Sequence, residues 1–278
     1  MSWESSPLMT VTWILLGAAL AGPPSLPPAQ PLLEQGYREM YDLRFDQAHR
    51  SFLESERLRP EDPLVPVSDA AAYLFTEFER LHILQSKFFL DDDGFRASRG
   101  LKPDPELKRT FEARLEKSRQ LADRILARNP HDRDAQFATV LRLGLHSDYL
   151  ALVEERYVAS FREMKAGRIL AAKLLAGNPD YYDAYVAIGV ENYLLSLKPA
   201  PVRWLLKIGG AQIDREEGLR KLRLTAQRGH YLLPFARLLL AVAALRDGDR
   251  RGARDILEGL SAEFPRNDLY REELTRLR

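Results

Sequence analysis

The segment AQPLLEQGYREMYDLRFDQAHRSFLESERLRPED, residues 29–62, decides the fold. Gly36 and Ala48 are small residues, of the kind that let two helices approach closely. Phe52 is a larger residue that can pack on a neighbouring unit. Pro60 is expected to close the second helix, because proline has no backbone N–H to donate. The segment therefore predicts a pair of closely packed helices.

The ending of this segment recurs along the chain. RLRP, ARNP, AGNP and AEFP each finish on a proline that follows one amphipathic helical pattern and precedes another, at Pro60, Pro130, Pro179 and Pro265. Residues 234–267 fit the frame of residues 29–62, and the corresponding positions hold Ala241, Ala253, Leu257, Leu260 and Pro265. The prolines are unequally spaced, which predicts lengthened helices and an insertion over residues 90–105.

These residues resemble the tetratricopeptide repeat. Counted from Ala29, the frame places Gly36 at position eight, Ala48 at twenty, Phe52 at twenty-four, Ser55 at twenty-seven and Pro60 at thirty-two. The resemblance implies an all-α fold, a right-handed superhelix of helix-turn-helix repeats with irregular repeats in the middle.

Residues 189–219 also resemble the inclusion-body clearance branch of tetratricopeptide proteins. Members carry a similar G-x-x-N-x-L-L-S-L-x-P segment, followed by G and by D-R-x-x-G-L. The matching residues here are Gly189, Asn192, Leu194, Leu195, Ser196, Leu197, Pro199, Gly209, Asp214, Arg215, Gly218 and Leu219. The resemblance implies a bent crossover without catalytic chemistry. We expect structural roles in this crossover for Asn192, Pro199, Trp204, Asp214, Arg215 and Gly218.

The chain after residue 30 reads as helix throughout, because no segment sustains the alternation of apolar and polar residues that marks a strand. Asp104-Pro105 predicts a helix N-terminus. Asp214 with Glu217 has the form of a capping box, and Gly229 stands where that helix should stop. Residues 202–208 are expected to form one or two short amphipathic turns.

The first 33 residues differ in composition, with no charged side chain from Ser5 to Leu33. Residues 8–21 are an apolar run, short for a bilayer span, that ends in small residues such as a signal peptidase reads. We therefore expect a signal peptide over residues 1–21, a proline-rich linker over 22–31 and a helical repeat domain over 32–278. We therefore expect the protein to be exported to the periplasm or the medium. An anchor formed by residues 8–21, or a cytoplasmic protein with a mis-assigned start, stays open because the segment before this run holds Glu4 and no basic residue.

Composition excludes several classes of function. The 41 basic and 40 acidic residues are balanced, so no net charge favours nucleic acid or an anionic membrane. The chain has no cysteine, which excludes disulfides, thiolate metal sites and a cysteine nucleophile. Residues 202–208 are too few for stable membrane attachment on their own, and we expect no stable insertion after signal cleavage.

The sequence offers little for catalysis. The five histidines show no metal-ligand spacing, and the Asp-rich segment 91–94 lacks the spacing of a calcium loop. Ser147 or Asp148, beside His146, is expected to be a helix N-cap. No catalytic residue, metal or cofactor is expected. An all-α hydrolase using carboxylates near residues 191–217 is the third alternative.

Binding is the favoured function. In tetratricopeptide arrays the first helix of each repeat lines a concave groove, and the resemblance projects a largely apolar set onto it: Tyr37, Tyr41, Val186, Val190, Tyr193, Phe235, Leu238 and Val242. We expect a non-enzymatic scaffold in the cell envelope that binds a protein or peptide, such as an amphipathic helix. The alternative is an amphiphile- or lipid-binding protein whose groove closes into a pocket. Whether the protein's own helices fill the groove stays open.

Overall fold

The computed structural model describes residues 29–84 and 102–278, which are helical and contain no strand. The predicted all-α class is confirmed for these residues. The predicted signal peptide, most of the predicted linker and most of the predicted insertion lie outside them. The helices are α1 (Ala29–Tyr41), α2 (Phe45–Leu58), α3 (Leu64–Arg80), α4 (Pro105–Arg128), α5 (Arg133–Leu152), α6 (Tyr157–Gly177), α7 (Tyr185–Ser196), α8 (Ala200–Ile208), α9 (Arg215–Arg228), α10 (Leu233–Arg246), α11 (Arg250–Glu263) and α12 (Asp268–Arg276).

The helices pack in neighbouring pairs. α1 lies against α2, α3 against α4, α5 against α6, α7 against α9, and α10 against α11. α12 packs on α11, and the short α8 projects from the crossover between α7 and α9. A single 3₁₀ turn, Tyr182–Ala184, precedes α7. Each pair buries an apolar stripe of one helix against its partner, which is how most helices in proteins are stabilised.

The first described helix also contacts segments that flank the last three helices. The Tyr41 hydroxyl donates to the Tyr231 carbonyl at 3.0 Å, and the Tyr37 and Tyr231 rings stack with centroids 4.8 Å apart. The Asn267 side chain donates to the Tyr41 carbonyl at 2.8 Å. The backbone N–H of Arg266 donates to Asp42 at 2.9 Å. These contacts join α1 to the start of α10 and to the connection between α11 and α12.

The signals for helix ends are largely confirmed. Asp104 caps α4 by accepting from the N–H groups of Glu106 and Leu107, and Asp214 caps α9 by accepting from Glu217. Gly229 ends α9. The helices before the four prolines each end two residues ahead of the proline, at Leu58, Arg128, Gly177 and Glu263.

Two expectations differ from the structure. α1 begins at Ala29, inside the stretch predicted as linker, because Pro31 falls in the first turn of a helix, where no N–H is needed. Ser147 and Asp148 lie inside α5, so the prediction that either is an N-cap was wrong. The Ser147 hydroxyl lies 3.0 Å from that of Ser160 on α6, and this contact supports a continuous α5.

No helix within residues 29–84 and 102–278 is long and apolar enough to cross a bilayer.

Candidate functional site

A cavity of about 100 Å³ lies among the first helices of the pairs; we name it the central cavity. α1, α3, α5, α7 and α10 each contribute to its wall, and α6 closes one side. The wall is mainly aliphatic and aromatic, with Met40, Phe75, Phe137, Leu141 and Leu145 among its residues. A space of this composition and size favours an apolar occupant over water.

A second space of about 50 Å³, the side cavity, adjoins the first. Met40, Tyr41, Phe75 and Phe235 line both spaces, so these four side chains form a shared wall. The rest of the side cavity is formed by α10, α11 and α12, with Leu43 and Leu84 from the first two pairs. Together the two spaces make an elongated apolar interior.

Most of the projected groove residues face these two cavities. Tyr37, Tyr41, Val186, Val190 and Phe235 line the central cavity. Tyr41 and Phe235 also line the side cavity, as do Leu238 and Val242. Tyr193 instead packs in a separate core cluster with Leu219, Leu222, Leu239 and Ala243. The five residues of this set that are buried are Tyr37, Tyr41, Val186, Tyr193 and Val242.

The burial of Tyr37 and Tyr41 limits which partners the projected groove residues can bind. Tyr37 and Tyr41 are 4% and 5% exposed, because Tyr231, just before α10, and Phe264, just after α11, cover them. A partner helix laid along these residues would have to displace those contacts. A small molecule inside the cavities would not.

Asp148 is the one polar group of the central cavity without a partner in the described part of the chain. It lies on α5, is half-buried, and turns part of its surface to the cavity. It has neither a hydrogen bond nor an ion pair to any described residue. Because burial disfavours the charged carboxylate, the pKa of Asp148 is raised to about 7. A neutral or half-ionised carboxyl group therefore faces an apolar space near physiological pH.

Asp183 also lines the central cavity, but its carboxylate is occupied. It accepts from the N–H groups of His230, Tyr231 and Leu232 at 2.9–3.0 Å, and so holds the segment that leads into α10. Burial raises its pKa, whereas the three N–H donors oppose that rise. Asp183 therefore has a structural role that ties the turn before α7 to α10.

Gly144 gives the central cavity part of its volume. It lies within α5, on the cavity wall, and a Cβ added there would meet no heavy atom within 4 Å. Glycine in a helix interior costs about 1 kcal/mol relative to alanine. A side chain at this position would point into free space.

The carboxylates of residues 191–217 are taken up by structural contacts. Glu191 is fully buried, pairs with Arg168 at 3.0 Å and accepts from the N–H of Gln212. The Asn192 side chain accepts from the N–H of Asp214 at 3.0 Å. Arg215 pairs with Asp247, and Glu217 with Arg220 and Lys221. The contacts of Glu191 and Asn192 fix the crossover to α7.

The other crossover residues divide into two kinds. Gly218 is needed for close packing, since a Cβ there would lie 2.7 Å from the backbone nitrogen of Tyr193. Pro199 bounds α8 and, like Trp204, is exposed; Trp204 is 68% exposed. No group of three His, Asp or Glu side chains that could hold a metal ion occurs within residues 29–84 and 102–278.

Sequence reasoning missed the functional candidates Asp148 and Gly144. The residue types were visible, but only the tertiary packing of α5 against α6 and α7 turns them towards a cavity. No known family model matches the chain, and no curated protein shows significant similarity to it.

Proposed function

We propose that the protein is a non-catalytic, tetratricopeptide-like helical-repeat protein whose central cavity binds the apolar part of a small neutral or cationic molecule. The observation that carries the proposal is the central cavity itself, an apolar space among the first helices with the unpartnered Asp148 in its wall. The proposal selects the amphiphile-binding alternative over an open groove for a partner helix, because the groove residues of α1 are covered.

Close packing at the small positions of the frame supports the tetratricopeptide-like architecture. A Cβ on Gly36 would lie 2.3 Å from the ring of Phe52, its counterpart at position twenty-four. In the last complete pair Ala241, Ala253, Leu257 and Leu260 are buried, at most 2% exposed. Small residues therefore stand where the paired helices approach most closely, as the right-handed superhelix of such repeats requires.

The charges around the cavity define the class of ligand. Its described lining contains Asp148 and Asp183 but no lysine, arginine or histidine. An anionic ligand such as a fatty acid would lose hydration without gaining a cation. An amine would gain an ion pair with Asp148, and a neutral molecule would leave Asp148 protonated. The expected order of affinity is amine, then neutral compound, then carboxylate.

The size of the cavity limits what enters it. An engineered apolar cavity of about 150 Å³ binds benzene, so a space of about 100 Å³ suits a small ring or a short alkyl segment. A whole phospholipid does not fit. A larger ligand would place only its end in the cavity.

The test is a calorimetric titration at pH 8 with benzylamine, toluene and benzoate, which share a ring and differ in charge. Benzylamine should bind with a dissociation constant of about 0.1–1 mM, a reasonable value for so few atoms. Benzoate should not bind. Asp148→Asn should reduce benzylamine affinity to that of toluene.

Gly144→Leu supplies the blocking variant, because its side chain should fill the cavity, and Gly259→Leu is its matched control. Gly259 is an exposed helical glycine on α11 whose Cβ also meets nothing within 4 Å. Gly144→Leu should abolish binding and Gly259→Leu should leave it unchanged. Equal binding by both variants, or no binding of any compound to the wild type, would reject the proposal.

Export remains part of the proposal on sequence grounds alone, from the apolar run and small residues of positions 8–21.

A further inference from the structure

The short helix α8 presents an apolar face that no described residue covers. None of its residues is buried. Trp204, Leu205 and Ile208 are 68%, 64% and 65% exposed, and Val202 is 43% exposed. Positions 201, 204, 205 and 208 share one side of a helix, since residues three and four apart are neighbours on its surface. Large exposed apolar groups that form one contiguous face mark an interaction site.

The same segment is surrounded by cations. Lys198, Arg203 and Lys207 lie on or beside α8, and no aspartate or glutamate occurs from Leu197 to Ile213. None of these three cations has an ion pair within the described residues. Lys165 of α6 adds a fourth; its ammonium donates to the Gly209 carbonyl at 2.7 Å and likewise has no carboxylate partner there. An apolar stripe flanked by unpaired basic residues complements an anionic surface.

The base of α8 is rigidly held. Glu191 and Asn192 bind the N–H groups of Gln212 and Asp214, and Lys165 binds the helix end at Gly209. The helix therefore projects from a fixed crossover, with its face preformed. Tryptophan at the tip of such a face suits the boundary between water and acyl chains.

We propose that α8 docks on the surface of an anionic lipid bilayer, with Trp204, Leu205 and Ile208 in the interfacial region and Lys198, Arg203 and Lys207 against the headgroups. The inference goes beyond ligand binding in the cavity and does not depend on it. Nine residues bury too little area for permanent attachment, so the contact is reversible and requires anionic lipid.

The test uses the full chain with Trp3→Phe and Trp13→Phe, which leaves Trp204 as the only tryptophan. This background matters because residues 8–21 are apolar and can bind lipid independently, whereas Trp204 emission reports α8 alone. Vesicles contain phosphatidylglycerol and phosphatidylcholine at 3:7, or phosphatidylcholine only, with and without brominated acyl chains. Trp204 emission should shift to the blue and be quenched by bromine with the anionic vesicles only.

Three variants in that background complete the test. Lys207→Gln should weaken vesicle binding about fivefold, the effect expected for one basic residue near an anionic surface. Leu205→Asp should remove the blue shift, and Leu53→Asp, at a 45% exposed leucine on α2, should leave it unchanged. All three positions are exposed, so folding should be retained.

Three outcomes would overturn the proposal. The first is sedimentation with vesicles while Trp204 emission stays unshifted. The second is an equal response to vesicles without anionic lipid. The third is a concentration-dependent blue shift without vesicles, which would mean that a second copy of the chain covers the face.

Discussion

At the scale of single residues, two glycines in first helices of pairs have opposite surroundings. A Cβ on Gly36 of α1 would overlap the Phe52 ring at 2.3 Å, whereas a Cβ on Gly144 of α5 would meet nothing within 4 Å. The same substitution should therefore have opposite signs at the two sites. Gly36→Ala should destabilise the fold by about 1–3 kcal/mol, the cost of overpacking. Gly144→Ala should stabilise it by up to about 1 kcal/mol.

Urea denaturation of the two variants and the wild type measures both effects. Gly259→Ala controls for helix propensity alone, because that residue is exposed and lies on no cavity. A Gly36→Ala variant with the same free energy of unfolding as the wild type would contradict the close contact between α1 and α2.

The raised pKa of Asp148 predicts that the stability of the fold depends on pH. Its pKa is about 7 in the folded chain, against an ordinary value of 3.8. Between these values the folded state holds a proton that the unfolded state has lost, so stability falls as pH rises from 4 towards 7 and levels off above. Asp148 can change the free energy of unfolding by at most about 4 kcal/mol over this pH range.

Asp148→Asn should remove that dependence and make the protein more stable than the wild type at pH 8. Urea denaturation midpoints of both proteins at pH 5 and pH 8 measure this difference in stability. The wild type should be less stable than Asp148→Asn by about 4 kcal/mol at pH 8 and by less than half of that at pH 5. Parallel pH profiles would show that this carboxyl group is not desolvated.

At the scale of helices, the Arg168–Glu191 pair joins α6 to α7 and to the crossover. Both side chains are buried, at 9% and 0% exposed, so each depends on the other. Arg168→Met leaves an uncompensated buried carboxylate and should cost about 3–5 kcal/mol at pH 7. Adding Glu191→Gln should recover more than half of that loss, because the neutral amide can still accept from the Gln212 N–H.

Urea denaturation of the two single variants and the double variant gives the coupling energy between the residues. Additive effects would contradict a direct pair.

Local signals in the sequence predicted the helices and many of their ends. The N-caps Asp104 and Asp214 and the stop at Gly229 depend on side chains a few residues apart, so sequence alone reveals them. The His146-Ser147-Asp148 segment gave a wrong prediction. Serine and aspartate commonly cap helices, but in this segment they lie within the continuous helix α5. α5 packs against α3, α4, α6 and α7, and this tertiary packing outweighs the local preference.

The candidate site was predictable only in part, for the same reason. The resemblance projected residues of α1, α7 and α10 onto a groove, and all of them except Tyr193 line the two cavities. It did not indicate that Tyr231 and Phe264 cover Tyr37 and Tyr41. That contact joins residues about 190 or more positions apart, and no local pattern encodes it.

At the scale of the whole molecule, contacts join α1 to the segments that flank the C-terminal helices and hold the walls of the cavities together. Asn267 is central to them, because it donates to Tyr41 and also caps α12 by accepting from Leu269. Asn267→Ala should leave the buried Tyr41 carbonyl without its donor, at a cost of about 1–3 kcal/mol, with about 1 kcal/mol more for the cap. Amide hydrogen exchange should therefore become faster in α1.

Asp249→Ala is the matched control for this variant. Asp249 caps α11 by accepting from the N–H of Gly252, and its side chain has no hydrogen bond or ion pair to α1 within residues 29–84 and 102–278. The Asp249→Ala change should speed amide hydrogen exchange in α11 but not in α1. Unchanged α1 exchange in Asn267→Ala would show that the two ends of the described chain are not held together.

The most direct test of the central claim is mass spectrometry of organic extracts from protein purified from its native cells, comparing the wild type with Gly144→Leu. A neutral or cationic molecule with a small apolar end should be present in the wild type at close to one per chain and absent from Gly144→Leu. Extracts of the two proteins that did not differ, or a ligand that proved to be an anionic fatty acid, would contradict a binding cavity with Asp148 in its wall.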